Sequence, residues 1–339
     1  MCGIAMLHCT GEATADEGAR MLERLAHRGP DGAGAKQVGA TWLGHTRLSI
    51  VDIEGGAQPM LEPDSAVWMV CNGEIYNHDE LRQILPGKFR SDSDSEVALH
   101  VVEEWGPEGV ERLRGMFALC LAHADGRLLI ARDPVGIKPL YWARRGAEIA
   151  VASELRGFDP EWRPLVEEFP PGHWWTPSRG LVRFATLRTE APPLASEDEA
   201  RTALRQGLIM SVRRHTMADV PVGVFLSGGL DSSVIAAILA REAADSGDPV
   251  YSFAAGTEGS PDIAAAWIVA DYLGLTHFER VYTADDVVRV LPEVVACTES
   301  YEPSLIRSAV PNYLLSELAA EHVKVVLTGE GRRRTARRL

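Results

Sequence analysis

At 339 residues the chain is long for one compact core, so two domains are the natural expectation. Hydrophobic residues make up 46% and charged residues 24%, the balance of an ordinary soluble globular protein. The formal net charge of −14 argues against a nucleic-acid binder, which needs a basic face, and against attraction to an anionic membrane surface.

No apolar run reaches the roughly eighteen residues that would suggest a membrane span. The N-terminus, Met-Cys-Gly-Ile-Ala-Met-Leu-His, lacks the basic start and long apolar core of a signal peptide. Cys2, Cys9, Cys71, Cys120 and Cys297 are scattered, odd in number and form no Cys-x-x-Cys pair. That usage fits a reduced, cytoplasmic protein and speaks against a disulfide framework or a zinc site. Cys120 and Cys297 lie in apolar runs and read as buried packing residues. Cys71 reads as the end of a strand beside a polar motif.

Residues 1 to about 155 alternate short β-like runs with Gly- and Pro-marked turns. Strands are expected at Trp42–His45, Val67–Cys71, Phe117–Ala122, Leu128–Arg132 and Ile149–Ser153. Helices are expected at Asp16–His27, with Met21, Leu22 and Leu25 on one face, and at Ser95–Trp105. Few of these spacings suit a βαβ unit, so the half reads as α+β. Residues 186–198 are polar, aperiodic and carry Pro192-Pro193, which marks a linker.

Beyond the linker the pattern changes. A helix over Glu197–His215 leads to an apolar strand, Val222–Leu226, a Gly turn and a helix over Ser232–Ala244. Then come a strand at Val250–Ala254, a helix at Asp262–Leu273 and a strand at His277–Val281. Helices at Ala284–Ala296 and Ala309–His322 precede a strand at Val323–Leu327. Short apolar strands alternating with helices predict a doubly wound parallel sheet. The last eight residues, Arg332–Leu339, hold five arginines and no apolar periodicity.

A cysteine at position 2 gains a free α-amino group once the initiator methionine is removed. Such an amine titrates near ~8 and can act as base for its own thiol, uniting nucleophile and base in one residue. By position alone, a small residue opening a strand explains Cys2 as well. Its neighbours carry more information: His27-Arg28-Gly29-Pro30-Asp31, Arg47-Leu48-Ser49-Ile50-Val51-Asp52, Asn72-Gly73-Glu74-Ile75-Tyr76-Asn77 and Ser93-Asp94-Ser95-Glu96. Arg132-Asp133-Pro134-Val135-Gly136-Ile137-Lys138-Pro139-Leu140-Tyr141 and Ala152-Ser153-Glu154 follow. In this order the motifs closely resemble the glutaminase domain of class II glutamine amidotransferases, specifically that of glutamine-hydrolysing asparagine synthetases.

The resemblance implies an N-terminal nucleophile hydrolase sandwich of αββα layers, with Cys2 as nucleophile. Amide hydrolysis passes through an oxyanion that needs donors aimed at it. The family pattern assigns these to Asn72 and the Gly73 amide. It assigns glutamine binding to Arg47, Leu48, Ser49, Ile50 and Val51, together with Asn72, Gly73, Glu74 and Asp94. Arg47 suits the α-carboxylate as a bidentate fork; Glu74 and Asp94 suit the α-ammonium. His27 is expected to serve loop structure. No histidine pair shows metal-ligand spacing.

Val222–Leu226 runs into Ser227-Gly228-Gly229-Leu230-Asp231-Ser232-Ser233 and a helix. A strand, Gly turn and helix N-terminus gather backbone N–H groups suited to phosphate. The lysine and spacing of a Walker A loop are missing. The motif resembles the pyrophosphate loop of ATP pyrophosphatases, which implies ATP at Leu226, Ser227, Gly228, Gly229, Asp231 and Ser232. Ala255, Thr328 and Gly329 complete the expected ATP contacts, and Asp231 would help hold Mg2+. Ser260-Pro261-Asp262 and Arg307 also fall on family positions. Ser304 and Leu305 replace threonines common in bacterial relatives, which leaves the acceptor contacts open.

The whole resembles an enzyme converting aspartate, ATP and glutamine into asparagine, AMP, pyrophosphate and glutamate, and it leaves room for a homodimer. The expected domains are a glutaminase at 1–190, a partial ATP-binding synthetase at 196–331 and an aberrant tail at 332–339. Relatives continue well beyond Thr328-Gly329-Glu330-Gly331, so a truncated or frameshifted reading frame is expected, with exposed sheet edges prone to aggregation. Two alternatives stand beside it. One is an amidotransferase that adenylates another carboxylate, or only a glutaminase fragment; the other is an inactive glutamine- or nucleotide-binding module.

Overall fold

The computed structural model describes residues 1–9, 14–62, 64–186, 196–244 and 247–329. The Arg-rich tail and most of the expected linker lie outside the described residues. The chain divides into two compact units, Met1–Pro192 and Pro193–Leu339.

The first unit runs β1 (Gly3–His8), α1 (Thr14–Glu23), β2 (Gly32–Val38), β3 (Thr41–Arg47), β4 (Met60–Glu62), β5 (Val67–Ile75), α2 (His78–Arg82) and α3 (Asp94–Trp105). It continues with β6 (Gly115–His123), β7 (Leu128–Arg132), β8 (Tyr141–Arg145), β9 (Glu148–Ala152), β10 (Glu167–Glu168), β11 (His173–Thr176) and β12 (Gly180–Arg183). The strands form two six-stranded sheets, ordered β10-β8-β9-β1-β3-β2 and β12-β11-β7-β6-β5-β4. Every pairing between these strands is antiparallel.

Alternation along each strand sorts the apolar residues into three cores. Ile4, Met6, Leu43, Val70, Ala118, Cys120, Ile130, Trp142 and Val151 meet between the sheets. Their neighbours Ala5, Leu7 and Trp42 turn outward onto Met21 of α1 and Leu25 just beyond it. Met69, Phe117, Leu119 and Leu121 turn the other way onto Val97, Leu99 and Val101 of α3. The result is the expected αββα sandwich, in which the central strands are buried on both faces while β2, β10 and β12 at the edges stay largely exposed.

The second unit runs α4 (Glu197–His215), β13 (Val222–Phe225), α5 (Leu230–Ala244), β14 (Tyr251–Gly256), α6 (Pro261–Leu273), β15 (Thr276–Val281), α7 (Ala284–Thr298), α8 (Pro303–Ala320) and β16 (Val325–Leu327). Its parallel sheet is ordered β15-β14-β13-β16. Val224, Leu226 and Ala254 pack on Ala236 and Leu239 of α5 and Ala266 of α6. Phe253 turns to the opposite face, onto Ala319 of α8. Helices therefore cover both sides, as the alternating pattern predicts.

Several expectations need correction. The first helix stops at Glu23, and a 3-10 turn over Ala26–Arg28 follows. That turn drives Arg28 inward, to 8% exposure. Gly29 passes so close to β3 that an added Cβ would lie 2.2 Å from the Arg47 amide. The last helix starts at Pro303, not Ala309, because the Glu302 carboxylate caps the Leu305 amide at 2.6 Å and proline sits in the first turn. Cys297 is exposed, since the buried stripe of α7 runs through Val290 and Val294. Strand β5 continues through Cys71 to Ile75, so Cys71 is buried inside it. Strand β16 begins at Val325, two residues later than expected.

Candidate functional site

Extending the inner-face alternation toward one end of the sandwich replaces apolar residues with polar ones. On β1 the series Met6, Ile4 continues to Cys2; on β3, Leu43 continues to His45 and Arg47; on β5, Val70 continues to Asn72 and Glu74. The start of the chain is pinned there. The Gly3 amide donates to Thr46 Oγ1 at 3.1 Å, the Ile4 amide donates to Ser153 Oγ at 2.9 Å, and Arg28 Nε donates to the Cys2 carbonyl at 2.8 Å. Arg28 is itself held by Glu154 at 2.5 Å.

Cys2 Sγ lies 3.4 Å from the Leu48 amide, which donates to it, and 3.7 Å from the Leu48 carbonyl. Burial pushes the thiol up, while the Leu48 amide, the N-terminal amine and Lys138 each pull it back. The amine is Met1's here, and burial lowers it to about 6. Ser49, buried, donates its amide to Asp31 Oδ2 at 2.7 Å. Leu48 therefore lies directly beside the thiol, with Ser49 held by Asp31.

Asn72 is 1% exposed and its Nδ2 has no acceptor among the described residues. Glu74 Oε2 is buried with no donor among the described residues. An unsatisfied buried donor and an unsatisfied buried acceptor, two residues apart on one strand face, are costly unless a ligand meets them. Burial, and then the Asp94 charge, raise the Glu74 carboxyl; Lys138 opposes them. Gly73 admits no side chain, since a Cβ would lie 2.5 Å from the Met116 carbonyl and 2.8 Å from Phe117 Cα. Asp94, at the start of α3 and 3% exposed, accepts the Ile75 amide at 2.6 Å and so ties helix to strand.

Arg47 differs from expectation. Its guanidinium donates to the Ile53 carbonyl at 2.9 Å, the Asp52 carbonyl at 2.5 Å and the Val51 carbonyl at 3.4 Å. It shapes the loop carrying Ile50 and Val51 instead of presenting an uncommitted fork. Asp52 anchors that loop to the approach to α3, accepting the Gly55 amide at 2.8 Å and the Asp92 amide at 2.9 Å. His27 pairs with Glu154 at 3.0 Å, a structural position consistent with the sequence expectation.

Lys138 lies in the Arg132–Tyr141 motif, where the sequence assigns it no role. It is 6% exposed, and burial lowers its ammonium from the ordinary lysine range, with the charges of Glu74 and Cys2 opposing. Nothing in the spacing signals this; a lysine in a Gly- and Pro-marked stretch normally reads as surface.

In the second unit, a cleft of about 850 Å³ opens at the C-terminal ends of the parallel strands. Leu226, Ser227, Gly229, Asp231, Ser232, Ala255, Thr328 and Gly329 line it. Gly228 does not. At φ +69 it turns the loop against α6, where a Cβ would meet Ala265 at 2.4 Å. Ser227 and Ser232 hydroxyls lie 3.1 Å apart, and Ser232 Oγ donates to the Gly229 carbonyl at 3.1 Å. The loop is thus closed over the N-terminus of the 15-residue α5, where amides and helix dipole favour an anion. Asp262, Asn312 and Leu315 also line the cleft, the last two unforeseen because α8 is remote in sequence. Arg307 is exposed and donates to the Pro303 carbonyl of its own helix at 3.2 Å.

A family profile described as a glutamine amidotransferase domain matches residues 1–180, more than half of the chain. The chain belongs to the glutamine amidotransferase family. A second profile, described as asparagine synthase, matches residues 203–331 of the chain. Over 347 residues it is 41% identical to an asparagine synthetase [glutamine-hydrolyzing] of Triphysaria versicolor, covering 98% of this chain and 59% of that protein. With asparagine synthetase [glutamine-hydrolyzing] 1 of Arabidopsis thaliana it shares 38% identity over 351 residues, at the same coverage of 98% and 59%. The chain thus spans 59% of the length of these relatives. Among solved structures, a glutamine phosphoribosylpyrophosphate amidotransferase from B. subtilis is similar at 17% identity and TM-score 0.49, over 86% of this chain and 92% of that one.

Proposed function

We propose that the first unit hydrolyses glutamine and that the second uses ATP to activate aspartate for amidation by the ammonia released. The observation that carries the first half is the unsatisfied pair beside Cys2, Asn72 Nδ2 and Glu74 Oε2. In this reading the Cys2 thiolate attacks the glutamine side-chain amide carbon. Asn72 Nδ2 and the Gly73 amide receive the oxyanion. Collapse forms a thioester and expels ammonia, which takes the thiol proton from the α-amine. Water then cleaves the thioester to glutamate and restores the thiol. Glu74 and Asp94 receive the substrate ammonium. Arg47 acts by holding the 50–51 loop against the carboxylate end of the substrate.

The 227–232 loop and the helix N-terminus beneath it would take the ATP phosphates, with Leu226, Ala255, Thr328 and Gly329 around the nucleoside. The aspartate β-carboxylate attacks the α-phosphorus and pyrophosphate departs. Ammonia displaces AMP to give asparagine. Asp231 and Asp262 line the cleft beside the loop. Two hard oxygen donors at a phosphate site fit Mg2+, which when bound neutralises charge on the departing pyrophosphate. The exposed position of Arg307 favours a second reading, in which a different carboxylate is the acceptor. A cytoplasmic location agrees with five free thiols, and among the described residues no helix is long and apolar enough to cross a membrane.

The experiment measures glutamate release from glutamine by protein whose N-terminus is verified as Cys2 by mass spectrometry, beside Cys2→Ala. Adding ATP and aspartate then tests for asparagine and pyrophosphate. Absence of glutamate from the processed wild type would sink the first half. Glutamate without pyrophosphate would sink the second.

A further inference from the structure

Once Met1 is removed, Cys2 has no chain upstream to hold it, and the backbone ladders stop short of it. The pairing with β3 ends at Gly3 opposite Thr46, and the pairing with β9 ends at Ala5 opposite Ala152. Beyond those points side chains take over. Ser153, fully buried just past β9, meets Ile4 twice. Its Oγ accepts the Ile4 amide at 2.9 Å, and its own amide donates to the Ile4 carbonyl at 3.0 Å. The Cys2 carbonyl accepts from Arg28 Nε at 2.8 Å.

A second acceptor fixes the fork of Arg28. Its Nη1 donates to Glu154 Oε1 at 2.5 Å, so one planar guanidinium joins the Cys2 carbonyl to a buried carboxylate. Glu154 is held in turn. His27 Nε2 and Arg156 Nε lie 3.0 and 3.2 Å from its Oε2, and its carbonyl accepts the Gly157 amide at 3.1 Å in the turn after β9. One carboxylate oxygen is thus given to Arg28 and the other to the neighbours that orient the carboxylate. What the series fixes is the thiol, because Cys2 Sγ reaches the Leu48 amide, 3.4 Å away, only while the Cys2 backbone stays in place.

We propose that Glu154 is a positioning residue for Cys2, acting through Arg28 to hold the nucleophile by its carbonyl so that the thiol stays on the Leu48 amide. This deepens the glutaminase reading and rests on it. A nucleophile at a chain end has a freedom that an internal residue lacks, and a shift of about 1 Å can cost ~10²-fold in rate. The Arg28–Glu154 pair removes that freedom from the carbonyl side. It leaves the α-amine of the same residue available as base.

The test uses the full processed chain, well below the melting temperature of every variant. It reads hydrogen exchange at the Gly3 and Leu48 amides by NMR, and kcat and KM for glutamate release. Glu154→Met is expected to speed exchange at both amides by about tenfold or more, with the Val97–Val101 amides of α3 unchanged. It should also lower kcat by about 10- to 100-fold with KM within about twofold, whereas a merely structural role would lower the melting temperature and spare kcat. Glu154→Gln, whose side-chain oxygen still accepts from Arg28, should recover most of both losses. Arg28→Lys keeps a buried cation opposite Glu154 but loses the rigid fork that joins two acceptors, so it should reproduce the effects of Glu154→Met. It is the second arm if Glu154→Met does not fold by circular dichroism. A folded Glu154→Met or Arg28→Lys with wild-type exchange at Gly3 and Leu48, or with wild-type kcat, would overturn the proposal. Exchange needs no turnover, so a wild type that releases no glutamate would fail the function above while exchange still decided the anchoring of Cys2.

Discussion

Asn72 and Glu74 show how little a single side chain's identity reveals until its partners are counted. Asn-Gly reads first as a hairpin turn, yet here it lies within β5, paired with Ala118 and Phe117 across the sheet. Its buried amide donor therefore has no turn to serve. Asn72→Ala is expected to lower kcat for glutamate release by about 10²–10³, the range for one oxyanion donor, with a smaller change in KM. Steady-state kinetics on the processed enzyme would check this, and a pure KM effect would contradict the assignment. Arg47 was legible as a site residue, but its bonds to the 51–53 loop were not. Its type predicts a carboxylate fork, whereas three loop carbonyls within its reach have already engaged it.

The elements framing the two sites are set by buried carboxylates and by glycine. Glu96 of α3, 4% exposed, gathers the Arg90 and Ser91 amides at 2.8 Å each and the Ser91 hydroxyl at 2.6 Å. Burial alone would raise this carboxyl, but His100 and the 90–91 donors outweigh it and hold it at about 2. A depressed folded value means the stabilisation is complete above the ordinary value near 4.5 and disappears as pH falls toward 2. Chemical denaturation at stepped pH should therefore show a loss through that window. Glu96→Gln should flatten it and cost about 1–3 kcal/mol at neutral pH through donors left unmet. In the second unit, Gly228→Ala places a methyl against the α6 backbone at a positive φ. Strain of at least about 1 kcal/mol should displace the phosphate loop. ATP binding by calorimetry should weaken sharply while glutamate release stays unchanged.

At the scale of the whole molecule, all three cores of the sandwich are made of residues before Pro192. Residues 1–192 expressed alone are therefore expected to unfold in one cooperative transition and to retain glutaminase activity. A broad transition with no activity would show that this unit depends on the rest of the chain. Strand alternation and the βα rhythm made both architectures readable in advance, because hydrophobic periodicity reports which face a residue buries. Element ends were less readable. The stop of α1 at Glu23 and the start of α8 at Pro303 are decided by where Arg28 and Glu302 find partners.

By itself the sequence determined the chemistry on offer: a thiol at position 2, an Asn-Gly donor pair, acidic residues for an ammonium, and a Gly-rich turn ahead of a helix. These are properties of residue type and short spacing. Only the tertiary structure decided which polar atoms near Cys2 stay unsatisfied, that Arg47 bonds to its own loop, and that Lys138 is buried. The reason is that burial and pairing are through-space quantities. Cys2 meets Leu48 across 46 residues of chain and Arg28 meets Glu154 across 126, and no local pattern encodes the desolvation those contacts impose.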